Sequence, residues 1–141
     1  MLDHSVSAAW CFEDQSTLYT ETVLQSLIDG LDAFVPAIWQ LEVVNSLVVA
    51  ERRKKIGIEK SAQFVRDLRQ FSITVDVDGL AQVFNGVLTQ ARLHQRSAYG
   101  ASYLELARRR GGLPFATKDE PLRKAALHLG LELFQPQMSA L

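Results

Sequence analysis

Three carboxylates and one amide in this 141-residue chain have the placement that oxygen-based chemistry needs. Asp3 follows the short apolar start Met1-Leu2 and runs at once into Ser5-Val6-Ser7-Ala8-Ala9, a small-residue helix opening. It therefore stands at the tip of a strand, which is where open α/β sheets bind ligands. Glu42 lies one turn into a long helical stretch beside Leu41, Val44 and Leu47, and Asn45 shares its face three residues on. Asp119 stands between an apolar run and the helix opening Glu120-Pro121. Each acid also has a purely structural reading: aspartate after a strand serves as N-cap or turn former, and glutamate beside an apolar stripe reaches water at a rim. Gathered in one cleft, two ionised carboxylates about 4 Å apart repel by about 4 kcal/mol at an effective dielectric near 20. Something positive must then hold them. With Cys11 the only cysteine and His4, His94 and His128 scattered, an all-oxygen site suits Mg²⁺ or Mn²⁺ rather than zinc. Such an ion lowers the pKa of a bound water and stabilises the leaving oxygen of an in-line phosphoryl displacement.

The elements that must position these groups read as strands alternating with helices. After the first strand, a helix spans residues 18–28 and ends at Gly30, and 33–36 is a short strand closed by Pro36. A long helix runs from Ile38 to about Lys55 with Leu41, Val44, Leu47 and Val48 as its apolar stripe and Gly57 as its stop. A shorter one, from Glu59 to about Gln70, buries Ala62, Val65 and Leu68. Residues 72–77 alternate and are β-branched, so they form a strand. Asp78 then caps the most regular helical pattern of the chain, Leu80, Val83, Phe84, Val87, Leu88 and Ala91. Ser97 caps a helix over 98–109 that Gly111-Gly112 ends, and 113–117 is a buried strand. Asp119-Glu120-Pro121 opens a helix with Leu122, Ala125, Ala126 and Leu129 on one face, and 131–134 is the last strand. This order predicts an α/β fold, a three-layer α/β/α sandwich on a mostly parallel sheet, in a single domain over 1–141.

Composition narrows the function. At 48% hydrophobic the chain is globular, and no apolar run approaches the ~18 residues of a membrane span. Met1-Leu2 is followed by an acid rather than a basic segment and a long apolar stretch, which predicts no signal peptide and a cytoplasmic protein. A net charge of −1 gives no global attraction to nucleic acid, so any such binding must come from local patches. Arg52-Arg53-Lys54-Lys55 and Arg108-Arg109-Arg110 end helices and read as solvated faces, whereas Lys118, Arg123 and Lys124 flank Asp119 and are better placed to meet RNA phosphate. Trp10, Phe12, Trp39, Tyr99 and Tyr103 read as core or dimer interface.

Four blocks carry a family resemblance: Leu2-Asp3-His4-Ser5-Val6 through Ala9-Trp10; Val35-Pro36 with Glu42-Val43-Val44-Asn45; Ser97 to Ala107; and Leu113-Pro114-Phe115-Ala116-Thr117-Lys118-Asp119. In order and spacing they resemble the PIN-domain family, and in particular the VapC-type toxins of bacterial toxin–antitoxin pairs. The resemblance implies a Mg²⁺- or Mn²⁺-dependent endoribonuclease, usually a homodimer, neutralised by a small VapB-like antitoxin whose C-terminal segment lies over the acidic groove. It puts Asp3, Glu42 and Asp119 on three of the family's four acidic positions, as metal ligands, and Ser5 and Thr117 on hydroxyl positions near the site, with Asn45 beside them.

The chain departs from that pattern at Gly100, where an aspartate is expected. Glycine in the first turn of a capped helix costs up to about 1 kcal/mol against alanine, and an acid there would be favoured by the helix dipole. Either the chain is an impaired form, or the three remaining acids still hold one metal. Glu105 is a possible substitute ligand, but it sits about 140° round the helix from position 100 and reads as solvent-facing or partly buried. Replacing Gly100 by aspartate is expected to lower the stability of the metal-free protein, strengthen divalent-metal binding and raise RNA cleavage. The rival reading, kept open by Gly100, is a catalytically silent PIN module that binds an antitoxin or RNA. His4 and Cys11 are bystanders in either case.

Overall fold

The computed structural model describes residues 1–136. Among them the chain forms an α/β arrangement of seven α-helices and a two-stranded parallel sheet: α1 His4–Ala9, α2 Leu18–Ile28, β1 Ala33–Pro36, α3 Ile38–Arg52, α4 Ile58–Leu68, β2 Ile73–Asp76, α5 Leu88–His94, α6 Ala98–Arg109 and α7 Glu120–His128. The single domain expected over 1–141 extends five residues beyond the described ones. No helix among the described residues is long and apolar enough to cross a membrane.

β1 and β2 pair in parallel, Ala33 opposite Ile73 and Pro36 opposite Asp76, and α3 with α4 supplies the crossover that parallel strands require. The other expected strands shrink to single bridges. Leu2 bridges Ala116 and Phe115 bridges Leu133, both in parallel. Leu2 N–H donates to Phe34 O at 3.0 Å, Asp3 N–H to Ala116 O at 2.9 Å, and Phe115 N–H to Glu132 O at 2.8 Å. Backbone hydrogen bonds thus run sideways through β2, β1 and residues 1–3, 115–117 and 132–134. The first of these segments is short because α1 begins at His4; residues 115–117 carry one bridge to each neighbour, and 132–134 carry a single bridge.

One cluster of buried apolar side chains joins these elements, with Leu2, Val6, Val35, Leu104, Leu106 and Phe115 at 0–2% exposure. Each Leu or Phe removed from water contributes about 1.5–3 kcal/mol, before the loss of conformational entropy is counted. α6 runs through the middle of this cluster, burying Ala101, Tyr103, Leu104, Leu106 and Ala107, and small alanines let it approach closely.

Three expectations for the helices are corrected. The buried face of α3 is Trp39, Val43, Leu47 and Ala50, while Leu41 and Val44 face solvent; a run apolar on two sides let the wrong stripe be read. α3 stops at Arg52, where Lys54 adopts a left-handed φ of 57°, and Gly57 is the N-cap of α4 rather than the stop of α3. In α4, Ala62 is exposed and Ser61 is buried in its place, its hydroxyl donating to Glu51.

The pattern that looked most regular is not one α-helix. Residues 78–82 wind as a 3₁₀ turn, 83–87 as a π turn, and only 88–94 as α5. A Cβ on Gly79 would lie 2.9 Å from Asp76 Oδ2, and one on Gly86 3.0 Å from Glu105 Cγ. The two glycines let this segment settle onto Asp76 and Glu105, and that docking overrides the helical period.

Candidate functional site

Chain order reverses between residues 1–3 and 115–117: the sheet continues to β1 and β2 on one side and to 132–134 on the other. In open α/β sheets ligands bind at such a switch point, outside the carboxyl ends of the flanking strands, and Asp3 and Thr117 stand at those two ends.

By backbone geometry Asp3 is the N-cap of α1, yet its side chain makes no cap hydrogen bond. Its Oδ2 instead accepts from Ser5 Oγ at 2.6 Å and from Thr117 Oγ1 at 2.7 Å. Each hydroxyl also accepts from a backbone amide, Lys118 N–H on Ser5 at 2.9 Å and Asp119 N–H on Thr117 at 3.0 Å. Both hydroxyl protons are therefore committed to Asp3, which fixes the carboxylate and leaves neither serine nor threonine free as a nucleophile. Asp3 is 5% exposed. Burial raises its pKa, the two hydroxyls and His4 pull it back, and the charge of Asp119 adds to the rise.

Glu42 is half-buried, and its Oε1 accepts from the Tyr103 hydroxyl at 2.7 Å. That hydroxyl in turn accepts from His4 N–H at 3.3 Å, linking Glu42 to the residue after Asp3. Burial raises the Glu42 pKa, the tyrosine opposes it, and the Asp3 charge adds to it. Burial and the charges of Asp3 and Glu42 hold the Tyr103 phenol far above its ordinary pKa, so it remains a proton donor. His4 is pushed down by burial against the pull of Asp3, and its Nε2 lies 2.8 Å from Ser46 Oγ, a packing role.

Asp119 is exposed and caps α7, its Oδ1 accepting from Leu122 N–H at 2.9 Å. The structural reading of this acid thus holds for one of its oxygens. Gly100 is the third residue of α6, whose N-cap Ser97 accepts from Gly100 N–H at 3.2 Å. Its φ is not left-handed. A Cβ there would meet Arg96 Cβ, Leu122 Cδ1 and Ser97 Oγ, each at 3.8 Å, which is ordinary contact. Nothing in the backbone or the packing requires glycine, and an aspartate fits beside the first turn of α7.

Whether these residues suit a divalent ion turns on their unused atoms. Among the described residues, Asp3 Oδ1, Glu42 Oε2 and Asp119 Oδ2 accept no hydrogen bond, and none of the three acids forms an ion pair. Each carboxylate has one oxygen held by the fold and one left over, a donor set of the hard kind that Mg²⁺ or Mn²⁺ takes. No three His, Cys, Asp or Glu side chains among the described residues stand close enough together to form a finished cage.

The other expected residues divide. Asn45 is exposed and lines a groove of about 210 Å³ with Gln15, Ser46 and Arg53, away from Glu42; its neighbour Ser46 is the residue tied to the site, through His4. Lys118 donates from Nζ to Gln15 O at 2.5 Å, so its ammonium is held by the loop after α1. Arg123 lies near Tyr19, whose pKa burial raises against the pull of the arginine's charge, while Lys124 faces the groove between α7 and the end of α5. Glu105 is buried, 2.6 Å from Arg109, and is no substitute ligand. The arginine run is only in part a solvated face: Arg108 is exposed, whereas Arg109 and Arg110 both pair with buried Asp76, and Arg110 lies over the Phe34 ring at 5.0 Å. Sequence reasoning took Tyr103 for core or interface; its hydroxyl, on a helix face otherwise filled by Ala and Leu, was the available sign of a polar partner.

No protein-family model matches the chain, and no curated protein is significantly similar to it. The PIN-type resemblance therefore rests on the motifs themselves.

Proposed function

We propose that this chain is a metal-dependent endoribonuclease of the PIN type, related to VapC-type toxins, with a three-layer α/β/α sandwich as its architecture. The observation that carries the reading is a buried Asp3 held by two hydroxyls and no ion pair, with one oxygen on each of Asp3, Glu42 and Asp119 left without a hydrogen bond. Asp3, Glu42 and Asp119 would hold Mg²⁺ or Mn²⁺. When bound, such an ion supplies an activated water and neutralises charge at the leaving oxygen of an RNA phosphodiester. Ser5 and Thr117 orient Asp3, and Tyr103 orients Glu42. Gly100 leaves the set one acid short, so cleavage is impaired.

A second reading, a silent module that binds RNA or an antitoxin, is favoured by that same glycine. A protein partner also has a surface to meet. Leu41, Leu80, Val83 and Tyr99 line an apolar groove of about 270 Å³, and Phe84 nearby in the chain is 87% exposed. A second copy of this chain or a VapB-like antitoxin, in the cytoplasm, would cover it.

Divalent-dependent RNA cleavage that Asp3→Asn abolishes supports the nuclease. RNA retention with no cleavage, in the parent chain and in Gly100→Asp alike, supports the silent binder.

A further inference from the structure

We propose that the groove between the end of α5 and the outer face of α7, walled by His94, Arg96, Lys124 and His128, holds the phosphate backbone of single-stranded RNA on its way from the acidic site. The inference rests on the RNA-directed reading above and assigns that reading a path. The groove is open and has a volume of about 620 Å³. Glu120, Lys124 and His128 come four residues apart on α7 and so share one helical face, which is the groove's wall. The opposite wall is set by Gln95, whose left-handed φ of 50° turns the chain sharply between α5 and α6 and presents Arg96.

The cations here are unspent. Arg96 uses only Nε, donating to His94 O at 3.2 Å, and among the described residues neither Arg96 nor Lys124 forms an ion pair. Glu120 precedes Lys124 by four residues, the spacing and order that favour a helical ion pair, yet that pair is not closed. His94 Nε2 is buried without a hydrogen-bond partner, as is Gln90 Oε1 one turn earlier on α5. The groove also has an address. Arg96 Cβ and Leu122 Cδ1 both come within 3.8 Å of where a Cβ on Gly100 would stand, and Leu122 N–H is capped by Asp119. One end of the groove therefore abuts the corner that holds Asp119 and the missing acid. With a chain charge of −1, attraction for a polyanion has to be local, and this is a local excess of positive charge beside the acids.

The test is fluorescence anisotropy of a labelled, mixed-sequence, single-stranded RNA with the full chain in EDTA, titrated over a range of salt. Arg96→Gln/Lys124→Gln should weaken binding roughly tenfold and make the slope of log K against log salt shallower by about 1.4, or 0.7 for each lost phosphate contact. Arg66→Gln/Arg69→Gln, at and just after the end of α4, should change neither, and unaltered melting curves confirm that both proteins are folded. Unchanged affinity and slope in the groove variant overturn the proposal. So does groove-dependent binding of polyglutamate in place of RNA, which would make the site one for an acidic protein segment. Groove-dependent RNA binding without Mg²⁺-dependent cleavage in Gly100→Asp leaves the groove standing and removes only the nuclease reading.

Discussion

Two groups of acids sit at the same edge of this fold and are treated in opposite ways. Asp76 ends β2 as Asp3 ends the first strand segment, and both are almost fully buried. Asp76 receives Arg109, Arg110 and the Gly79 amide, which outweigh burial and hold its pKa below the ordinary carboxylate range. Glu105 shares Arg109 with it. Asp3 receives only two hydroxyls, and burial wins, leaving its pKa raised. A carboxylate serving the fold has its counter-charge built in. One left buried beside two further acids with neutral donors alone lacks the charge that would complete it.

The largest expected effect comes from breaking the completed group. Arg109→Ala leaves Asp76 and Glu105 without their main partner and should cost about 3 kcal/mol of stability. Divalent-metal affinity measured on the folded fraction should not change; a parallel loss of affinity would mean that the two acid groups are not separate.

The opposite change at the other group should stabilise. Asp3→Asn keeps an acceptor for Ser5 and Thr117 and removes an unpaired buried charge, so the metal-free protein should gain roughly 1–2 kcal/mol near neutral pH. The pH dependence gives the sign independently. The folded pKa values of Asp3 and Glu42 are raised, so their contribution to stability is full below the unfolded carboxylate values and is lost as pH rises through the folded ones. The folded pKa of Asp76 is lowered, so its contribution is present above the unfolded value and lost as pH falls through the folded one. Melting curves against pH should therefore have a smaller neutral-side decline in Asp3→Asn, the remainder belonging to Glu42, and a smaller acid-side decline in Asp76→Asn.

A smaller effect is expected at Gly100. Aspartate there gains helix propensity and a favourable position near the Ser97 cap, together about 1 kcal/mol, which offsets part of the repulsion from the other acids. The melting temperature of the metal-free protein should therefore fall only slightly. Added Mn²⁺ should raise it more than it does in the parent chain, and an equal rise in both would show that position 100 lies outside the site. The smallest is Tyr103→Phe, about 1 kcal/mol in stability with weaker metal binding, because Glu42 loses the donor that orients it.

The sequence made the strand tips, the caps at Ser97 and Asp119, and the ends at Gly30 and Gly111-Gly112 readable, since each is a local device with a residue-type signature. Long-range pairings were not readable. That Asp3 takes its hydrogen bonds from Ser5 and Thr117 rather than capping α1 depends on two segments 114 residues apart meeting side by side. The breaking of the 78–94 pattern depends on Glu105, which no window around Gly79 or Gly86 contains, and on Asp76, which is close to Gly79 in sequence but is held in place by Arg109 and Arg110 from α6 and its end. The buried face of α3 was misread because Leu41 and Val44 are apolar on the side that faces outward.

Calorimetric titration of Mn²⁺ into the parent chain, Asp3→Asn, Glu42→Gln and Asp76→Asn bears most directly on the contrast between the two groups. Saturable binding should appear in the parent chain and in folded Asp76→Asn and be lost in the other two. Binding that survives both Asp3→Asn and Glu42→Gln, or none in the parent chain and none in Gly100→Asp, would contradict a metal centre at the unpaired acids.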